Sequence, residues 1–335
     1  MEFEFFIGVD VSKNELDFSV MQGKDFLFHK EIENKPSTVL VFLKELSRQP
    51  GFTFNNSVFC MEHTGIYNNH LLVTLFEKHA NISLESAVQI KNSLGKLRGK
   101  NDKVDSIRIA DYAYKCRHEL RLWSPKRDQL ISLSHLAATR SRLLEAQKLL
   151  KTPLKESRSF VKKSLCDQNS KICSNTLNSI KTDLQKAEKA IRAIIESDQE
   201  LHRLFNLITS VVGIGPVTAT QILITTNEFK DIKDPKKFSC YSGVVPFTKE
   251  SGLFKGRGRV SHLANKKMKM LLHMSALVAI QYNSDMKTYF ERRTKEDKKN
   301  KMSVLNAVRN KLILRIFSCV NQNRMYEKNY QRLVA

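Results

Sequence analysis

Four acidic residues of this 335-residue chain are spaced for shared chemistry: Asp10, Glu62, Asp102 and Asp105. Asp10 closes the apolar run that begins at Phe3, Glu62 closes a second run from Ser57 to Met61, and Asp102 and Asp105 stand three apart at the start of a predicted helix. Residues i and i+3 share a helix face, and strands of one sheet deliver their terminal side chains to one rim, so the four carboxylates can meet without a long loop. Alone together they repel. Divalent cations remove that repulsion, and hard oxygen donors suit Mg²⁺, which keeps several waters and binds phosphate oxygens at the same time. Two-metal phosphodiester chemistry is the use to which such a set points. Taken singly, each residue has a plainer use: an acid after a strand often caps a turn, and Asp102 and Asp105 favour a helix macrodipole. The combination carries the weight, in a chain otherwise short of acid.

The elements that must position these acids follow from periodicity. Residues 3–9, 16–21 and 26–32 read as strands, and Lys35-Pro36-Ser37-Thr38 starts a helix with apolar residues at Val39, Phe42, Leu43 and Leu46. Ser57 to Met61 is a buried strand, His70 to Lys78 a helix, Ile82 to Val88 a strand and Asp102 to Tyr114 a helix. The order β-β-β-α-β-α-β-α makes residues 1–125 an α/β domain with a mixed sheet. Over 126–206 strand signals vanish, and Leu177, Ile180, Leu184, Ala187, Ile191 and Ile194 form a heptad seam. A helical hairpin, or coiled-coil connector, is expected there, with the polar segment from Lys162 to Ser174 as its turn or a flexible insert.

Residues 207–335 read as mainly helical with a loop-rich centre. Leu207 to Val212, Gly213-Ile214-Gly215 and Pro216 to Ile224 have the form of a helix-hairpin-helix, in which the turn around Gly213 and Gly215 offers backbone N–H groups to a phosphate. Further on, Lys249, Lys255, Arg257, Arg259, Lys266 and Lys267 flank a stretch containing Gly252, Gly256 and Gly258. Glycines between cations suit close contact with a phosphate backbone.

The charge balance agrees: 56 Lys and Arg against 34 Asp and Glu give +22, and such self-repulsion is offset by a polyanion. Nucleic acid is the expected partner. No apolar stretch approaches the roughly 18 residues of a membrane span, and the start lacks a secretory signal, so a cytoplasmic protein without membrane contact is expected. The six cysteines are scattered without CxxC pairs or nearby histidines, which argues against zinc and against a disulfide framework.

Across nearly its whole length the sequence resembles the DEDD transposases of insertion sequences, relatives of the pilin-gene-inverting site-specific recombinases and described as bridge-RNA-guided. The likeness rests on IGVDVSKNELDFSV (7–20), MEHTGIY (61–67), KNDKVDSIRIADY (100–112), VVGIGPVTA (211–219) and FSCYSGVVPFTKESG (238–252). It implies a RuvC-like N-terminal domain of RNase H fold, a coiled-coil connector and a helical transposase domain. It also carries the four family acids onto Asp10, Glu62, Asp102 and Asp105, and the catalytic serine onto Ser251. That serine would attack the DNA phosphodiester and become a phosphoserine, with Mg²⁺ on the acids. Target and donor DNA, a noncoding bridge RNA and a homo-oligomer, dimer or tetramer, are the partners the resemblance implies.

Ser242-Gly243 is a competing Ser-Gly pair, and Ser239 and Ser261 lie close by; Ser242 sits in an aromatic, apolar segment suited to packing, whereas Ser251 follows Pro246 and precedes the basic glycines. Between residues 261 and 265 the chain lacks the basic residue and glycine usual in the family. The rival closest in chemistry is a metal-dependent nuclease or junction resolvase in which water attacks. An actin-like or sugar kinase would need a second phosphate loop and an adenosine site, and a purely structural nucleic-acid binder would have no need of all four acids.

Overall fold

The computed structural model describes residues 3–93, 101–247, 250–251, 254–256 and 258–328. The chain forms two compact units that divide after Pro125.

Unit 1 is built on one sheet. Strands β1 (Phe5–Val11), β2 (Glu15–Gln22) and β3 (Asp25–Glu33) form an antiparallel meander; β4 (Ser57–Glu62) lies parallel to β1 on its other side, and β5 (Asn81–Glu85) parallel to β4. The order β3-β2-β1-β4-β5 is the RNase H arrangement the resemblance implies. Parallel neighbours need crossovers. Helices α1 (Pro36–Leu46) and α2 (Asn69–Glu77) supply them, and α1 buries the four apolar residues expected, Val39, Phe42, Leu43 and Leu46.

Strand alternation sorts the core into two layers. Phe5, Ile7, Val9, Leu16, Phe18, Phe59 and Met61 pack with α1 and α2 on one face. Phe6, Val58 and Cys60 point the other way, toward Ile109, Ala110 and Ala113 of α4 (Asp102–Lys115). The expected strand from Ile82 to Val88 ends three residues early, at Glu85, and a short helix α3 (Ala87–Ser93) follows. Ser86 causes the change: its carbonyl accepts from Ile90 N–H and its hydroxyl from Gln89 N–H, as at a helix start.

Unit 2 is helical. A long hairpin of α5 (Asp128–Glu156) and α6 (Lys163–Ser197) is followed by α7 (Gln199–Thr209), α8 (Pro216–Thr226) and α9 (Pro235–Tyr241), then a small hairpin β6 (Glu250–Ser251) and β7 (Phe254–Lys255), and finally α10 (Lys266–Tyr282), α11 (Ser284–Glu291) and α12 (Lys301–Asn321). Leu184 and Ala187 of the heptad seam are buried, on the side where α6 meets α5. The base of the hairpin joins the main core, because Leu130, Leu133 and Ile195 pack with Leu204, Ile222, Leu272 and Ile316. The segment from Lys162 to Ser174 is no flexible insert. It enters α6 at Lys163, since it holds neither glycine nor proline and its polar side chains form a solvated helix face.

Candidate active site

The site in unit 1 is set by which face each strand residue takes. Asp10 lies one residue before the end of β1 and Glu62 ends β4, with Val9 opposite Met61 in the parallel register. Asp10 shares the face of Phe6 and Gly8, and Glu62 that of Val58 and Cys60, which is the α4 side of the sheet. At that face α4 approaches β1 with nothing between their backbones: a Cβ on Gly8 would stand 2.1 Å from Ser106 O and 2.3 Å from Ala110 N. A buried hydrogen bond of 2.8 Å between the Ser19 and Ser106 hydroxyls ties the same helix to β2. The first turn of α4 carries Asp102, one turn before Ser106, and Asp105, next to Ser106, and Asn101 caps it by accepting from Lys103 N–H.

The four acids therefore share one field. Burial first, then the charges of Asp102, Asp105, Glu62 and Asp17, push the Asp10 carboxyl up to about 6. Glu62 is raised as well, by burial and by Asp105. Arg108 offsets part of this negative field through its 2.7 Å ion pair with Asp105. Among the described residues no three Asp, Glu, His or Cys side chains converge closely enough to hold one metal ion as they stand. The donor set is all carboxylate oxygen, which is chemistry for a hard divalent cation.

Two further carboxylates border the group, and sequence spacing did not single them out. Asp17 is the cross-strand partner of Asp10, is buried, and lies 2.8 Å from His29 Nε2. Glu85 pairs with Glu62 across β4 and β5 and accepts from the Ser83 hydroxyl at 2.9 Å. The usable signal for Asp17 was a charged residue inside the buried strand ELDFSV.

In unit 2, Ser251 is exposed in β6, opposite Phe254. Two of the competing serines are occupied, since Ser242 is buried and donates to Phe238 O and Ser239 is buried and donates to Asn310 Oδ1, whereas Ser261 is half-buried and its hydroxyl accepts from Leu263 N–H. Arg259 is exposed and its backbone bridges Phe247, while Lys266 and Lys267 open α10 on the surface. Lys255 belongs to β7; Lys249 and Arg257 lie outside the described residues. Gly213 has a φ of +101°, and a Cβ there would meet Ser275 O at 2.6 Å, so packing against α10 demands this glycine. Gly215 is different. It starts α8 with open space around it and leaves the helix without a side-chain cap.

The model of the DEDD transposases matches residues 7–157, and that of the transposase IS116/IS110/IS902 family matches residues 205–291. The chain belongs to the IS110 family of transposases. Its class as an enzyme is thereby that of DNA transposases and recombinases. Over 96% of its length this transposase is 24% identical to the pilin gene-inverting protein of Moraxella bovis, covering 98% of that relative. A 43.6 kDa protein of insertion element IS110 from Streptomyces coelicolor is 24% identical over 152 residues, 45% of this chain and 37% of that one. Among solved structures, Thermus thermophilus RuvC in complex with a Holliday junction substrate aligns over 36% of this chain and 99% of its own, at 14% identity and a TM-score of 0.27. No helix among the described residues of this transposase is long and apolar enough to cross a membrane.

Proposed function

We propose that this transposase cuts and rejoins DNA with Asp10, Glu62, Asp102 and Asp105 as the ligands of Mg²⁺ and with Ser251 as the nucleophile. The observation that carries the reading is the common field of the four acids, seen in the raised Asp10 carboxyl with Asp102, Asp105 and Glu62 among its causes. Carboxylates brought together at such cost are suited to a divalent cation, which when bound supplies charge to polarise the scissile phosphate and stabilise the leaving oxygen. The Ser251 hydroxyl attacks phosphorus as its proton passes to water, the P–O bond to the leaving strand breaks with its oxygen taking up a proton to become a hydroxyl, and the phosphate stays esterified to Ser251. Attack by a DNA hydroxyl on this ester reverses the exchange, joins the new strand and restores the serine.

Arg259, Lys255, Lys266 and Lys267, with Lys249 and Arg257, hold the backbone of target and donor DNA in this reading, and the backbone N–H groups around Gly213 and Gly215 do the same at the start of α8. A noncoding bridge RNA supplies sequence choice, a reading supported by the family likeness and by the formal charge of +22. Self-association into a dimer or tetramer is supported by the tip of the α5–α6 hairpin, where Leu149, Phe160, Leu165 and Ile172 are all exposed.

The test is incubation of the full chain with its element-end DNA, its element RNA and Mg²⁺, followed by a denaturing gel. A protein–DNA adduct that vanishes in Ser251→Ala supports the serine mechanism. Free nicked ends that survive the substitution identify a water-using nuclease instead.

A further inference from the structure

Unit 2 contains a cavity of about 420 Å³ between α5, α6, α7, α8 and the start of α10, within the size range of roughly 300–1,000 Å³ typical of small-molecule sites. Its walls divide by chemistry. Ile195 and Thr220 are buried, and Ile191, Phe205, Asn206 and Gln221 are half-buried, so the interior is apolar with one aromatic ring and two carboxamides. Exposed side chains surround them, among them the cations Arg192 and Lys267, with half-buried Arg140 beside them.

The cations are incompletely matched. Glu188 takes up Arg140 at 2.8 Å, which leaves Glu196 as the cavity's remaining acid against Arg192 and Lys267. Burial and the nearby Arg140 charge hold the Lys267 ammonium below the usual lysine range, and the Glu145 carboxylate offsets only part of that. The uncapped start of α8 borders the same space through Pro216, which has no N–H, and Val217, whose backbone N–H adds to the positive side.

An apolar interior, an aromatic wall, two carboxamides and a rim of three cations against two carboxylates together describe a nucleotide site. Carboxamides read base edges through paired donor and acceptor, aromatic rings stack on bases, and cations take the phosphate. Asn206 Nδ2 lies 3.1 Å from His202 Nε2, a contact that fixes the carboxamide at the cavity wall. We propose that this cavity receives one unstacked nucleotide of a bound nucleic-acid strand, its base between Phe205 and Val217 near Asn206 and Gln221, and its phosphate toward Lys267 and Arg192. The inference rests on the nucleic-acid-binding part of the proposed function and goes beyond it by assigning a base-specific pocket.

The test compares the affinity of the full chain for a mixed-sequence single strand and for an abasic strand of the same length, in DNA and RNA versions. Wild type binds the intact strand roughly tenfold or more tightly, in line with the worth of one stacked base. Val217→Trp fills the cavity and Asn206→Ala/Gln221→Ala removes its polar readers. In both, the preference falls below about twofold while the affinity for the abasic strand and the melting temperature stay at wild-type values, since both effects arise from loss of a single stacked base. A wild-type protein that binds the two strands equally, or a preference that survives both variants, overturns the pocket and leaves nucleic-acid binding intact. Failure to bind either strand overturns the nucleic-acid reading and the pocket with it. A preference confined to the DNA or to the RNA version identifies which strand enters.

Discussion

Gly8 of β1 and Ser106 of α4 meet backbone to backbone, so closely that the smallest side chain on Gly8 would fall within 2.1 Å of the Ser106 carbonyl oxygen. That contact sets the distance from the first turn of α4 to the end of β1, and hence from Asp102 and Asp105 to Asp10.

Gly8→Ala should therefore act on both stability and activity. The methyl has only backbone to push against, so the cost is about 1–3 kcal/mol or more, the usual penalty for an overfilled core. Urea melts measure that loss. If α4 is displaced, Asp10 also loses much of the field of its neighbours, and strand cleavage falls further than the unfolded fraction explains. A variant of wild-type stability and cleavage rate would show that the approach of α4 is looser than the geometry states.

Asp10 makes a prediction about pH. Its carboxyl is pushed up to about 6 by burial and by the surrounding acids, so the folded chain holds the proton more tightly than the unfolded chain, whose carboxyl titrates near 3.8. The resulting stability is fully present below about pH 4 and is lost as pH rises through about 6. Asp10→Asn removes this dependence. Relative to wild type the variant gains about 1–2 kcal/mol at pH 7.5, once solvent screening of a part-exposed group is allowed for, and has no such advantage at pH 4. Added Mg²⁺ should stabilise the wild type at pH 7.5 and the variant far less, because the variant lacks one ligand. Equal melting curves at both pH values, or an equal response to Mg²⁺, would remove the shared field on which the proposed site depends.

In unit 2 the base of the helical hairpin is held by one guanidinium. Arg127 bonds Asp198 at 2.7 Å, at the junction of α6 and α7, and also bonds the nearly inaccessible Glu228 just after α8. Asn227, Glu228 and Phe229 all have positive φ, so the segment that presents Glu228 is one that side chains rarely adopt unaided. Arg127→Met leaves Glu228 with Lys230 as its cation, at 2.8 Å. A loss of about 2–4 kcal/mol is expected, less than for a buried charge left wholly unpaired. Thermal melts of Arg127→Met and of Arg127→Met/Glu228→Gln should differ, with the double variant recovering part of the loss; no recovery would mean that the turn, rather than the ion pair, sets the cost.

Much of this arrangement was legible before any coordinates, and the reasons differ by element. Asp10 and Glu62 were readable because each closes an unbroken apolar run, and Asp102 with Asp105 because their spacing puts them on one helix turn. Asp17 and Glu85 were not, since their relevance comes from strand register: only the pairing of Asp10 with Asp17 and of Glu62 with Glu85 puts them beside the others. The start of α6 at Lys163 was missed because solvated helix and polar linker share a composition. Gly213 read as a phosphate turn, yet its positive φ and its contact with Ser275 give it a packing reason of its own.

The two Ser-Gly pairs separate the serine mechanism from its rivals. The Ser242 hydroxyl is buried and spends its proton on the Phe238 carbonyl, so Ser242→Ala should cost no more than about 1 kcal/mol, the net worth of one neutral hydrogen bond, and should leave a protein–DNA adduct in place. Ser251 is exposed on a two-residue strand, so Ser251→Ala should leave the melting temperature unchanged and abolish the adduct. Ser251→Cys keeps a nucleophile at the same position and should retain a thiol-linked adduct, slower in rejoining, which mass spectrometry can locate. An adduct that persists in Ser251→Ala and maps to another residue would move the nucleophile elsewhere while leaving the four acids their role. Cleavage without any adduct in wild type would return the chemistry to water.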